Sequence, residues 1–372
     1  MMAWMRRAPG GLSMLLALAC GHGEPFAVQE HGPDGLFAAG EPARLTFGDA
    51  VGEPAWAPDA SAIVYAGGAM TGVPPDRCLM SIPATGGTIV SEVCDAAALA
   101  DAVDTWAFPA ISGDQLAFHY QNSVRGIAPT VAGIYVGPLV APVVSGPVRS
   151  IPFFAPDGVF YVAASHVTWL GGEILFIGYS EQTVWPCAIC DPIRVEYPLA
   201  LLRGAALPGS TFAPVPGIAF PTSAVAGASS DELYFTLAND SRIYHEVLST
   251  GTRSVVHDFG TAGIARDVSY AAGQVAAVVG GKVKVWLEPA GPLQSADEGG
   301  HLYVLDLVTG NSRRLTDDSR WFRHPAFSPT ATALVGEGYA VTIDQDPASP
   351  PDAPVLDTTV TPRGDLWLYG SP

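Results

Sequence analysis

"EPAWAPDASAIVYAGG", residues 53–68, has a proline at its second position, turns through Pro58-Asp59 and runs into the apolar strand Ala62-Ile63-Val64-Tyr65. Proline and aspartate punctuate turns, and a short apolar run bounded by them reads as a strand. A close relative of the same phrase returns as "HPAFSPTATALVGEGY", residues 324–339. Writing it as apolar anchor, turn and strand brings four more segments into line. The anchors are Trp56, Ile111 in "PAISGDQLAF", Trp169 in "VTWLGGEILF", Ala228 in "VAGASSDELYF", Tyr270 in "VSYAAGQVAAV" and Phe327, separated by 55, 58, 59, 42 and 57 residues. In the third unit "FFAPDGVFYV", 153–162, competes for the same role.

A period of this size, with several short strands per unit and almost no helical pattern, predicts a β-propeller whose blades bury their faces by stacking on neighbours. A second phrase supports the period. "HLYVLDLVTGNSRRLTDD" (301–318) is echoed by "LMSIPATGGTIVSEV" (79–93) and "IYHEVLSTGTRSVVHDF" (243–259). The chain ends on half of that phrase, "GDLWLYG" (364–370), and the repeats begin with the other half, "ARLTFGD" (43–49). Joined, they make one unit. This predicts an all-β, six-bladed propeller of four-stranded antiparallel blades, in which the first strand completes the last blade and no edge is left open.

The stretches "RLTFGDAVGEPAWAPDASAIVYAG" and "LYVLDLVTGNSRRLTDDSRWFRHPAFSP" resemble the repeat of TolB-like, WD-type propellers, with "LT", a proline-flanked aromatic and "PD" or "SP" turns after a "D..TG" hairpin. The resemblance covers residues 43–372. It implies the propeller fold and says little of activity, because the repeated residues build blades and not sites.

The length allows two average domains or one large all-β domain of the propeller kind. The chain has 372 residues, 48% of them hydrophobic and 15% charged, with 41 glycines and 33 prolines for turns. A net charge of −18 and a pI near 4.6 disfavour nucleic acid as a partner. At the N-terminus, Arg6 and Arg7 precede the apolar stretch Leu12–Ala19 and Cys20, the layout of a secretory signal over residues 1–19. "LALAC" resembles a bacterial lipobox, which makes Cys20 the lipidation site. Residues 20–42 then read as a tether, and 43–372 as the propeller. With Gly21 after the cysteine, the expected location is the cell envelope, lipid-anchored at the outer membrane and facing the periplasm or the surface. The lipid is the only membrane attachment expected.

Four cysteines remain, and an even number in an exported chain points to disulfides. Cys78 and Cys94 flank a strand–turn–strand segment. Cys187 and Cys190 form a C-x-x-C between prolines with no helix to lower a thiol pKa, so a local staple is expected in place of a redox pair.

No contiguous catalytic motif is present: no G-x-S-x-G in the mature chain, no H-E-x-x-H, no calcium loop and no phosphate loop. No catalytic residue, metal or cofactor is therefore assigned, and Trp56, Ile111, Trp169, Tyr270 and Phe327 are expected to be packing anchors. Two functions are left. One is a non-catalytic envelope scaffold that holds a protein or ligand on the loops 119–132, 180–198, 204–223 and 280–299. The other is a glycan hydrolase or lyase with its site assembled from several blades at the central funnel. Clustering of acids and histidines would separate them. His119, His166 and His324 lie beside blade turns, and Asp114, Asp231 and Asp267 come from different units.

The Cys20 expectation has a direct test. Cys20→Ser should abolish incorporation of labelled palmitate and release the protein from the membrane fraction. Unchanged labelling and processing would refute it.

Overall fold

The computed structural model describes residues 42–47, 52–67, 78–93, 102–124, 131–140, 143–144, 149–152, 163–184, 193–207, 210–280, 284–286, 294–296, 300–316, 320–345, 356–360 and 364–370. Cys20 and the expected signal lie outside them, as do Cys94, Cys187 and Cys190.

Among the described residues, six antiparallel sheets, each built on four strands, make six blades, and Lys284–Trp286 pairs with Gln294–Ala296 in a small ribbon apart from them. Their innermost strands are Gly52–Trp56, Ala102–Ser112, Ala163–Leu170, Pro221–Ala226, Ala265–Ala271 and Arg320–Phe327. In blade 1 the order runs outward through Ala62–Gly67, Cys78–Pro83 and Val90–Val93. Blade 6 takes its outermost strand from the other end of the chain: Ala43 pairs with Leu368 and Arg44 with Trp367. The ring is closed as the split phrase predicts.

The opening phrase and its distant echo fold alike to the hydrogen bond. Ala57 N donates to Ala62 O and Ala60 N to Ala57 O; in blade 6 Ser328 N donates to Ala333 O and Ala331 N to Ser328 O. Ala60 and Ala331 occupy the same left-handed position, at φ 59° and 54°. Asp59 caps the turn, accepting from Ser61 N at 3.0 Å and Ser61 Oγ at 2.7 Å.

The strand behind each turn is apolar on both faces because a neighbouring blade covers each. Ile63, Tyr65, Leu116, Phe118, Ile174, Phe176, Leu233 and Phe235 are fully buried. The buried side chains fall into six clusters, one at each junction between blades. No blade has a core of its own, so each is stable only between its neighbours.

Two expectations need correcting. Blade 4's innermost strand ends at Ala226, paired with Leu233, so Ala228 lies in the following turn. Its turn, 227–231, has the length of 57–61 and 328–332 and the same closing bond, Gly227 N to Glu232 O, so Ala226 holds the place of Trp56 and Phe327, two residues before the expected anchor. Among the described residues, the expected loops 119–132 and 180–198 are strand, and 204–223 contains the strand Ala213–Ala219 and the start of Pro221–Ala226. Asn122 pairs with Val131, and the ladder from Glu173–Ala205 to Val184–Ile193 is unbroken but for one bulge. Alternating residues such as "FHYQNSV" keep the backbone extended past the blade edge, and the open N–H and C=O groups pair across the hairpin. Cys78 begins the third strand of blade 1, is buried and is disulfide-bonded.

The seam of blade 6 carries charge as well as backbone pairing. Arg44 donates to Asp365 Oδ2 at 2.6 Å, Thr46 Oγ1 to Asp365 Oδ1 at 3.1 Å, and Leu366 N to Thr46 Oγ1 at 2.9 Å. Asp365→Ala leaves Arg44 and Thr46 without this shared acceptor, and should cost about 2 kcal/mol in denaturant unfolding. A loss below about 0.5 kcal/mol would show that strand pairing alone closes the ring.

Candidate functional site

Each innermost strand must both pair with its blade and face the axis, and a regular strand cannot do this along its whole length. All six blades break register here: blade 4 between Pro221 and Ser223, and the other five with one shared form of bulge. The register shifts of these five lie between Gly52 and Ala55, Ala107 and Ala110, Ser165 and Thr168, Arg266 and Ser269, and Arg323 and Ala326. Within each bulge one residue has left-handed φ: Glu53 at 52°, Phe108 at 52°, His166 at 49°, Asp267 at 49° and His324 at 45°. Bulges of this kind re-aim side chains. None of the five residues is glycine, so the fold sustains a conformation that costs of order 1–3 kcal/mol at each position.

All five line one cavity of about 380 Å³. Blade 4 contributes Ala224 and Val225 to its wall, and Pro54, Val167, Val268 and Pro325 complete the apolar part. Inter-blade hydrogen bonds hold the ring around it. Phe108 N donates to Glu53 Oε2 at 3.4 Å, and His324 N to Asp267 Oδ2 at 3.2 Å. Trp56 Nε1 donates to Ala326 O at 2.8 Å and Trp169 Nε1 to Ala110 O at 3.0 Å. Ser223 and Ser269 hydroxyls accept from Val268 N and Phe327 N.

Histidines and acids converge at this ring. His166 Nε2 is 3.0 Å from Asp267 Oδ1, and its Nδ1 is 3.0 Å from Ser165 Oγ, which in turn bonds Tyr179. His324 Nδ1 is 2.8 Å from Glu337 Oε2, while Tyr339 donates to the other oxygen of Glu337. The two imidazoles lie 5.5 Å apart at 53°, with Phe108 5.5 Å from one and 5.6 Å from the other. Asp267 is 3% exposed and Glu337 4%.

Burial disfavours the imidazolium of His324, but Asp267 and Glu337 outweigh it and raise the pKa to about 9. Burial likewise opposes the Asp267 carboxylate; His324 and His166 prevail and hold it far below the usual range. Burial and the facing Glu337 push Tyr339 well up. At neutral pH the site holds the Asp267 carboxylate against the His324 imidazolium.

Of the residues proposed from sequence, Asp267 and His324 meet here, with His166. Asp231 lies instead in a blade turn and accepts from Ser249 N and Oγ; Asp114 occupies the turn of blade 2. His119 is buried in the second strand of that blade and does not line the cavity; burial lowers its pKa to about 4. Glu53, Phe108, Ser165 and Glu337 escaped sequence reasoning. A signal for the first two was present: the axial residue is the third before the anchor in every unit but the fourth.

No family model matches the chain, and no curated protein matches it. Among solved structures, a gluconolactonase from Xanthomonas campestris is similar at 13% identity, over 89% of this chain and 89% of that one, with a TM-score of 0.54. TolB from Acinetobacter baumannii is similar at 15% identity, over 85% of this chain and 66% of that one, with a TM-score of 0.44. The first of these is a likeness of fold.

The histidines set opposing pH limits. His324, raised above its ordinary 6.5, stabilises fully below pH 6.5 and loses this as pH rises through about 9. His119, depressed to about 4, refuses a proton that the unfolded chain accepts, so stability falls as pH drops from 6.5 towards 4. Melting temperature should peak near pH 6.5. Glu337→Gln should flatten the alkaline limb and His119→Gln the acid limb; limbs unchanged in both variants would contradict the assignment.

Proposed function

We propose that this chain is an exported propeller enzyme of hydrolase type, acting at its axial funnel on a small neutral sugar or sugar-derived molecule. The convergence of His166, Asp267 and His324 from three blades on one cavity carries the reading. A scaffold that works through its rim has no need of such a centre, nor of strained backbone to build it. The cavity suits a ligand with one apolar face and polar edges. Phe108, Val167, Val225 and Val268 offer the apolar surface, and buried Glu53, Asp267 and Glu337 disfavour an anion.

In this reading His166, Asp267 and His324 form the electrophilic centre that polarises the scissile group. Glu53, 8% exposed on the neighbouring blade, is the base. It takes a proton from water as the water oxygen bonds to the electrophilic carbon. The bond to the leaving oxygen then breaks, and that oxygen receives the proton. The fold hosts a gluconolactonase elsewhere, but the assignment here rests on the site.

The scaffold reading keeps one observation of its own. The hairpins formed by Gln115–Val124 with Val131–Val140 and by Glu173–Val184 with Ile193–Ala205 carry more backbone than their blades need, and offer edges to an envelope protein. Lipid attachment at Cys20 and an outer-membrane location belong to both readings.

A panel of glycosides, aldonolactones and sugar esters tests the enzyme. One class should be turned over, and Glu53→Gln and His166→Gln should each lower kcat by about 100-fold with KM little changed. No turnover of any class, together with a protein crosslinked to the two hairpins, would overturn it in favour of the scaffold.

A further inference from the structure

The donor chemistry of the funnel goes one step beyond a charged cluster, and the step rests on the funnel reading above. We infer that His166, Asp267 and His324 bind a divalent transition-metal ion of the zinc class, the electrophile of the site. The sequence, with no contiguous ligand motif, led us to expect no metal.

Three observations carry the inference. One ligand atom from each of the three residues lies within 4.8 Å of the other two. A tetrahedral ion with bonds of about 2.0–2.2 Å holds its ligand atoms roughly 3.4 Å apart, so side-chain adjustments alone bring the three into range. Each imidazole also has its outer nitrogen engaged: Nδ1 of His166 by Ser165 Oγ at 3.0 Å, and Nδ1 of His324 by Glu337 Oε2 at 2.8 Å. Metal-binding histidines are oriented in this way, with a hydroxyl or carboxylate on one nitrogen and the ion on the other. Asp267, finally, is anchored through Oδ2 by His324 N at 3.2 Å while Oδ1 faces His166.

The ligand types select the ion. Two imidazole nitrogens and one carboxylate suit zinc, cobalt or iron, whereas calcium and magnesium take all-oxygen sets. Three protein ligands leave a fourth position for water or substrate, as catalytic sites require, and here all three ligands line the cavity. The ligands come from blades 3, 5 and 6, so the ion would also tie together three units of the ring.

The full chain, stripped with chelator and titrated with Co²⁺, should develop visible d–d absorption saturating at one ion per chain, and Zn²⁺ should displace it. Ca²⁺ in large excess should not. His166→Gln should weaken binding by roughly 100-fold. Ser165→Ala, which touches no ion, should weaken it by roughly tenfold with unchanged circular dichroism and melting. Absence of the cobalt signal in the wild type, binding undiminished in His166→Gln, or displacement by calcium would each overturn the site. If turnover falls in His166→Gln while the wild type binds no cobalt, the metal is refuted and the funnel enzyme stands. If cobalt binds through His166 but no probe is turned over, the metal stands and the hydrolase is refuted.

Discussion

Everything at the centre of this molecule follows from the way its inner strands reach the axis. A strand hydrogen-bonded along its whole length alternates its side chains between the two faces of its blade, and none points down the funnel. Five strands break that alternation at one residue, in the left-handed region and without the help of glycine. The cost, of order 1–3 kcal/mol for each, has to be met by the surroundings. Part of the compensation is visible. The strained residue of one blade gives its N–H to the carboxylate of the strained residue next door, Phe108 to Glu53 and His324 to Asp267. The groups that charge the axial site are also the ones that let the backbone bend.

The same economy explains why charged groups are tolerated so deep in an apolar ring. A buried carboxylate without partners would be neutralised by a proton. Asp267 keeps its charge because two imidazoles and a backbone amide face it, and Glu337 shares its oxygens between His324 and Tyr339. The apolar clusters between blades fix the distances among these groups, so packing at the rim and electrostatics at the axis are parts of one arrangement.

The fold could be read from the sequence because its elements are local and repeated. Pro58-Asp59 and Ser328-Pro329 announce turns by their own chemistry, and the apolar strand behind each is contiguous. Ring closure was legible for the same reason, as one phrase split between "GDLWLYG" and "ARLTFGD". The centre was much less so. Its residues share a position but not an identity: Glu53, Phe108, His166, Asp267 and His324 have only their distance from the anchor in common. His166 and Asp267, in direct contact, are 101 residues apart. Blade 4 hides even the positional rule, because its strand ends on Ala226, an alanine that marks no anchor in the sequence. The extended hairpins were misread as loops since polar alternation such as "YSEQTV" resembles loop composition until a partner strand is seen across from it.

The seam between Ala43–Arg44 and Asp365–Gly370 has a consequence for how the molecule comes into being. Arg44 and Asp365 are 321 residues apart, so the first strand of the ring to be synthesised finds its partner only when the last has been made. Until then blade 6 lacks its outermost strand, and the first-made strand has nothing to pair with. Long separation itself adds little, since each doubling of a loop costs only about 0.6 kcal/mol. The delay is one of time. Assembly of this propeller therefore waits until Asp365–Gly370 has been made, and a chain truncated before Asp365 is left with an open edge, the kind of surface on which misassembly begins.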